Sequence, residues 1–197
     1  MPPLSVLDLV LISEGRTAQQ TLADSVDLAK QVEDLGYHRY WLAEHHLYPG
    51  GAGSASYLLA PTIVQATSRI RVGTAVLIID NYSPLHVAEI AGTIAAIGGR
   101  GVDLGIGRGG PSEEQRARGR EINQKLASGE ISIGPVAEPR IVDGVVVPAF
   151  TIAPFNDARA GLNDRLLSRS PGNPADFDGQ VRDVLAGLTD GTVDMVI

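Results

Sequence analysis

The sequence predicts an α/β fold in which a parallel sheet is built from repeated strand–helix units. Short runs of apolar, β-forming residues alternate with segments in which apolar residues recur at helical spacing. Each unit takes roughly 30 residues, which is the length that a βαβ crossover needs. Glycine and proline mark most boundaries between the segments.

The first unit is the most clearly marked. Residues 4–12 are mostly apolar, and we predict a first strand there that is buried on both faces. A helix follows, because Thr17 and Gln20 form a capping-box pattern and Gly36 stands where a C-terminal glycine belongs. The second strand is expected at about residues 37–44.

The pattern then repeats. Helices are predicted over residues 56–66 and 85–97, the second with Pro84 in its first turn, and strands over residues 70–79 and 102–107. Four strands that alternate with three helices favour a parallel sheet with right-handed crossovers.

Beyond residue 110 the pattern changes. Residues 113–126 favour a helix but are almost entirely polar, and residues 129–160 are rich in proline, with two short Val/Ile runs typical of a hairpin. An amphipathic helix over residues 177–188 and a short strand over residues 193–197 complete the chain. We predict a single domain over residues 1–197, in which residues 111–160 form an irregular, insertion-like segment.

Composition excludes several classes of function. The formal net charge of −7 argues against binding to nucleic acid or to an acidic membrane. The absence of cysteine excludes disulfides, thiolate catalysis and Cys-ligated metals. The first apolar run is interrupted by Asp8 and is too short for a signal peptide or a membrane span. We therefore expect a cytoplasmic protein that acts on a small molecule.

Three ionisable side chains follow the second predicted strand, Glu44, His45 and His46. In α/β folds the chemistry lies at the carboxyl ends of the strands, so this is the first candidate site. Strand alternation predicts that the two histidines point to opposite faces, and Glu44 is placed to orient one of them. The alternative is that these groups only satisfy one another at the rim of the sheet.

A glycine-rich turn follows the fourth strand. The guanidinium of Arg108 lies between Gly107 and Gly109, a pattern that suits an anion, although an arginine paired with a nearby carboxylate is the alternative. Residues 105–110 also match the dinucleotide fingerprint G-x-G-x-x-G, but that motif needs a following helix with an apolar face, and residues 113–120 are polar. The sequence shows no ligand spacing typical of a metal site.

Three stretches together resemble the luciferase-like flavin-dependent monooxygenases, the bacterial-luciferase type of oxidoreductase. They are AEHH at residues 43–46, TSRIRVG at 67–73 and VDLGIGRG at 102–109. The family fold is a (β/α)8 barrel, which takes about 250 residues. The chain thus resembles the N-terminal half of such a barrel, a truncated TIM-barrel-like fold of four to five βα units whose open edges need a cover.

The resemblance implies a flavoprotein that uses reduced FMN or a deazaflavin. It implies that His45, with Glu44, is the catalytic group beside the flavin. It also implies a cis peptide at Ala75–Val76 under the flavin ring, for which an ordinary trans strand is the alternative. The cofactor-binding candidates are His46, Ala75, Val76, Gly107, Arg108 and Gly109.

The sequence is compatible with two functions. One is a flavin-dependent monooxygenase, and the other is a non-catalytic half-barrel that binds flavin or serves as an accessory subunit. The helices at residues 57–66 and 85–97 are apolar around much of their circumference. The resemblance implies that they pair in a homodimer or with a homologous subunit.

Overall fold

The computed structural model describes residues 2–48, 50–109, 112–132, 140–142, 145–147, 162, 166 and 176–189. The chain divides into two compact units. The first comprises Met1–Gly109 and Leu167–Ile197, and the second comprises Gly110–Leu166.

The first unit contains a parallel sheet of four strands in the order β1-β2-β3-β4, and this confirms the predicted α/β fold class. Three helices connect these strands, and a further helix follows in the same unit. The elements are Ser5–Asp8 (β1), Ala18–Asp34 (α1), Arg39–Leu42 (β2), Ser56–Ala66 (α2), Arg71–Ile78 (β3), Pro84–Gly98 (α3), Asp103–Gly107 (β4) and Phe177–Thr189, which is called α5 below.

Local signals fix the helix ends as predicted. Thr17 and Gln20 form the reciprocal capping box of α1, and Gly36, just beyond its end, has a φ of 80°. Ser83 caps α3 by accepting a hydrogen bond from the backbone N–H of His86, with Pro84 in the first turn. These interactions satisfy backbone groups that a helix end leaves without partners.

The core lies between one face of the sheet and the helices. Val6, Tyr40 and Val72 form one row across β1, β2 and β3 and pack against apolar residues of α1 and α2, including the fully buried Ile63. Burial of a side chain of this size stabilises the fold by about 1.5–3 kcal/mol.

The prediction that β1 is buried on both faces is wrong. The alternate row contains Leu7 and Trp41, and Leu7 is 54% exposed. The strand also ends at Asp8 rather than at residue 12, because Val10 adopts a φ of 50° and its N–H bonds to Oδ1 of Asp8 at 2.7 Å. Positive φ is rare for a β-branched residue and takes the chain out of the sheet.

The amino ends of the strands are tied by charged groups. The Asp103 carboxylate accepts hydrogen bonds from Nε of Arg39 and Nε of Arg71, each at 2.8 Å. The hydrogen bonds from Arg71, the larger effect, and from Arg39 together lower the pKa of Asp103 to about 2, against the opposing effect of burial.

The stretch at residues 67–73 is also explained here. One carboxylate, Glu33 of α1, accepts hydrogen bonds from the backbone N–H groups of Ser68, Arg69 and Ile70. Burial raises the pKa of Glu33, but the three backbone bonds together outweigh it and the pKa is lowered. This stretch therefore positions β3 and lies at the end of the sheet away from the predicted site.

In the second unit, the polar helix predicted after residue 110 is present as α4 (Glu113–Ser128), and none of its residues is buried. The two Val/Ile runs form an antiparallel pair, Arg140–Val142 (β5) and Val145–Val147 (β6). The predicted strand at residues 193–197 lies outside the described residues.

Candidate active site at the carboxyl ends of the strands

A buried carboxylate organises the site. Glu44 lies two residues beyond the end of β2 and is 2% exposed. Its Oε2 accepts a hydrogen bond from the backbone N–H of Ile78 at 3.2 Å. Its Oε1 accepts from the hydroxyl of Tyr82 at 3.0 Å and from the amide of Asn81 at 3.3 Å. Glu44 therefore ties the carboxyl end of β2 to that of β3.

The histidine that pairs with Glu44 is His46. Nε2 of His46 lies 2.5 Å from Oε1 of Glu44. With a proton on Nε2, His46 donates this hydrogen bond and its other ring nitrogen, Nδ1, is left as an acceptor. The predicted pairing of Glu44 with a histidine is thus confirmed.

His45 is exposed and has a different neighbour. Its ring centroid lies 5.7 Å from that of Tyr48. The two histidines point in different directions, as expected, but strand alternation is not the cause, because β2 ends at Leu42 and the chain turns at His46 and Leu47, where Leu47 has a φ of 49°. His46 is folded back onto the buried carboxylate, and His45 faces solvent. The catalytic role of His45 and Glu44 stays a prediction.

Tyr82 is held as a hydrogen-bond donor. Burial raises the pKa of its hydroxyl above the usual value, and the neighbouring Glu44 carboxylate raises it further. Its ring also meets that of Tyr57 edge-on, with centroids 5.8 Å apart. Tyr82 therefore keeps its proton and directs it at Glu44.

The third strand contributes an irregular stretch. The peptide bond Ala75–Val76 is cis, as the resemblance implied. The register between β3 and β4 shifts between Thr74 and Leu77, and Val76 is 37% exposed. A role for Ala75 and Val76 in binding a cofactor stays a prediction.

The glycines of β4 have a packing role. A Cβ atom on Gly105 would lie 2.2 Å from the carbonyl oxygen of Thr74, and one on Gly107 would lie 2.6 Å from Cγ2 of Val76. These positions need glycine because β3 and β4 approach closely. The spacing that matched the dinucleotide fingerprint is therefore explained by contacts between strands.

Arg108 and Gly109 follow directly. The Arg108 guanidinium carbon lies 5.3 Å from the centroid of the Phe177 ring at the start of α5. The backbone N–H of Gly109 donates to Oδ2 of Asp80 at 3.2 Å. Contacts of Gly107, Arg108 and Gly109 with a cofactor stay predictions.

Sequence reasoning did not find four residues at this end of the sheet, Asp80, Asn81, Tyr82 and Phe177. The first three occupy the segment between β3 and α3, which includes a single 3₁₀ turn at Ile79–Asn81. Their position after a strand was the available signal, since the polar residues that follow each parallel strand share one edge. Phe177 was recognised only as part of an amphipathic helix.

The described residues contain neither a metal site nor a membrane span. No group of three or more His, Asp or Glu side chains among them is placed to hold a metal ion. Within the same residues, no helix has the length and apolarity needed to cross a membrane.

The model of one protein family matches this chain. Residues 3–130 match the family described as luciferase-like monooxygenase. The chain belongs to that family. Its parallel sheet with alternating helices is accordingly one part of the family's (β/α) barrel.

Curated relatives agree. The luciferase-like monooxygenase of Escherichia coli (strain K12) is 41% identical over 139 residues, which are 71% of this chain and 41% of the relative. The N-acetyl-S-alkylcysteine monooxygenase of Bacillus subtilis (strain 168) is 41% identical over 105 residues, which are 53% of this chain and 31% of the relative. The chain thus spans less than half the length of these relatives.

Solved structures show the same fold. Apo-MsnO8 is 34% identical with a TM-score of 0.53, and the match covers 69% of this chain and 46% of that one. The oxygenating constituent of 3,6-diketocamphane monooxygenase from Pseudomonas putida, solved with FMN, is 20% identical with a TM-score of 0.51, covering 59% of this chain and 32% of that one. At 20% identity the second likeness concerns the fold alone.

Proposed function

We propose that this chain forms the flavin-binding part of a flavin-dependent monooxygenase that acts on a small molecule. The observation that carries the proposal is the arrangement at one edge of the sheet. There, the segment that follows β2 contains His45 and His46, and the buried carboxylate of Glu44 holds His46 in place. Arg108 and Gly109 follow the end of β4 at the same edge. Family membership supports the same reaction type.

The residues present fit the chain of atoms that joins a flavin ring to its phosphate. That chain carries hydroxyl groups, which donate hydrogen bonds, and ends in a dianion. Arg108 supplies a permanent positive charge for the anion. The buried Oδ1 of Asp80 accepts no hydrogen bond from the described residues, so an acceptor is available for a hydroxyl.

The protein's own groups have separable tasks. His45, exposed three residues beyond the end of β2, carries an imidazole, a group that can hold or move a proton in general acid–base catalysis. Glu44 holds the turn that carries it, through His46 on one side and Ile78 on the other. Tyr82 stays protonated and donates to Glu44.

A reduced flavin, when bound, supplies the two electrons that a monooxygenase needs to activate oxygen. FMN is the form we propose, and Arg108 provides a positive charge for its phosphate. A deazaflavin carries a comparable phosphate on its ribityl chain and is the alternative cofactor.

The test is oxygen transfer. Chemically reduced FMN, isotopically labelled oxygen and a panel of small substrates, including an N-acetyl-S-alkylcysteine, are mixed with the protein, and the products are examined by mass spectrometry. We expect one labelled oxygen atom in a product, with the yield reduced in His45→Ala and retained in the control His86→Ala, an exposed histidine at the start of α3. No labelled product from any substrate contradicts catalysis.

A second candidate is a flavin-binding or accessory subunit without turnover. The observation that favours it is an exposed apolar side chain on one face of the sheet, Leu7 of β1, which is 54% exposed. Tight flavin binding with no labelled product identifies this function.

We also propose that α2 and α3 mediate a homodimer. Leu58 on α2 is 65% exposed, and Leu85 and Ile97 on α3 are 51% and 49% exposed. Large apolar side chains at such exposure are typical of an interaction surface when they cluster. Sedimentation is expected to show a dimer that Leu58→Glu converts to a monomer, and a monomeric wild-type protein contradicts the proposal.

A further inference from the structure

Asp80 stands between the two turns that define the candidate site. It lies in the segment that follows β3, and the last paired residues of β3 and β4 are Ile78 and Gly107. Asp80 and Gly109 are thus each two positions beyond this pair. This register explains why the backbone N–H of Gly109 reaches Oδ2 of Asp80, at 3.2 Å.

The other carboxylate oxygen of Asp80, Oδ1, has no hydrogen-bond donor among the described residues. It is also buried. An ionised carboxylate accepts up to four hydrogen bonds, and a buried acceptor left without a donor costs about 1–3 kcal/mol. A buried oxygen of this kind at the carboxyl end of a parallel strand is a position where a donor from a ligand or a water would bond.

The neighbouring polar side chains have other partners. Asn81 and Tyr82, which follow Asp80 directly, both donate to Glu44. Arg108, which precedes the Gly109 donor, lies over the Phe177 ring. None of these contacts involves Oδ1 of Asp80, so the missing donor comes from outside this set.

We propose that Asp80 is a specificity-determining residue that accepts a hydrogen bond from a ribityl hydroxyl of the flavin. This inference rests on the proposed function. A phosphate is excluded as the partner, because two anions repel one another. A hydroxyl close to the phosphate fits, since Gly109 places Asp80 beside the turn whose Arg108 is expected to face that phosphate. Asp80 therefore recognises a hydroxyl of the ribityl chain, whereas Arg108 recognises the negative charge of the phosphate.

The test compares three ligands that differ by one part at a time. FMN has the ring, the ribityl chain and the phosphate; riboflavin lacks the phosphate; lumiflavin lacks the ribityl chain. Dissociation constants are measured by fluorescence for the unaltered protein, Asp80→Ala and Asp80→Asn. Asp34→Ala, which removes the same charge from an exposed position at the end of α1, is the control.

We expect Asp80→Ala to raise the dissociation constants of riboflavin and FMN by about tenfold to a hundredfold, which is the range for one hydrogen bond to a charged acceptor. The dissociation constant of lumiflavin is expected to stay unchanged. Asp80→Asn keeps one acceptor oxygen for Gly109, and serves as the second variant if Asp80→Ala does not fold. Asp80→Asn is expected to weaken the binding of riboflavin without changing the binding of lumiflavin. Asp34→Ala is expected to change none of the three.

Other outcomes overturn the inference in distinguishable ways. Equal weakening of all three ligands means that Asp80 contacts the ring or only holds the site together. Weakening of FMN alone means that it acts through the Arg108 turn, and unchanged affinities mean that it makes no contact. If the folded, unaltered protein binds none of the three, the proposed function fails and the ribityl contact fails with it.

Discussion

Oε1 of Glu44 lies 2.5 Å from Nε2 of His46, while His45, one residue earlier, points its ring at Tyr48. The buried carboxylate therefore holds His46 in place and leaves His45 exposed. The division of roles at this edge of the sheet follows from that contact.

The Glu44 network is expected to contribute measurably to stability. Tyr82→Phe removes one donor and should lower the free energy of unfolding by about 1 kcal/mol, whereas Glu44→Gln turns an amide N–H₂ toward donors and should lower it by about 2 kcal/mol. Chemical denaturation of both single variants and the double variant measures their coupling, expected to be at least about 0.5 kcal/mol. Tyr57→Phe is the control, since Tyr57 meets Tyr82 through its ring. Strict additivity would contradict the network.

The two histidines should differ in their effect on stability. His46→Ala removes a donor from the buried carboxylate and is expected to cost about 1–2 kcal/mol. His45→Ala, at an exposed position, is expected to stay within about 0.5 kcal/mol of the unaltered protein. Urea denaturation measures both, and the reverse order would mean that His45 is the held residue.

Acid should weaken the tie between Asp103 and its two arginines. The folded-state pKa is depressed to about 2 from an ordinary value of 3.8, so the stabilisation is fully present above pH 3.8 and is lost as the pH falls towards 2. Since Arg71 is half exposed, we expect about 1–2 kcal/mol rather than the full electrostatic value. The difference in unfolding free energy between the unaltered protein and Asp103→Asn should therefore be larger at pH 6 than at pH 2. An equal difference at both pH values would mean that the charge is not involved.

Two glycine substitutions should have opposite signs. Gly105→Ala places a Cβ atom 2.2 Å from the carbonyl oxygen of Thr74 and should destabilise the protein by at least about 2 kcal/mol, because two strands must separate. Gly92→Ala, in the middle of α3 with nothing within 4 Å, should stabilise it by about 0.5–1 kcal/mol. Melting temperatures measure both, and a tolerated Gly105→Ala would contradict the packing role of the β4 glycines.

The sequence predicted most of the elements because their signals are local. Capping side chains such as Thr17 and Ser83 lie within three residues of the backbone groups they satisfy, and glycine marks helix ends in the same way. The error at β1 has a different cause. An apolar run shows that two faces are apolar, but not whether both are covered, and Leu7 is exposed.

The site was predicted only as far as the strand ends. The sequence identified Glu44, His45 and His46 because they follow a strand. Which histidine contacts Glu44 depends on the turn at Leu47, and no local sequence pattern predicts the φ of 49° there. Tyr82 lies 38 residues from Glu44, and Asp80 lies 29 residues from Gly109, so each contact depends on the register of the sheet.

Equilibrium titration with FMN, followed by fluorescence, tests the central claim most directly. It is made on the unaltered protein, on Arg108→Ala and on the control Arg182→Ala, an exposed arginine of α5. The account predicts micromolar binding that weakens by about tenfold or more in Arg108→Ala, as for a charge-assisted contact with phosphate, and does not change in Arg182→Ala. A folded protein that binds no FMN, or one whose affinity is the same in all three forms, would contradict it.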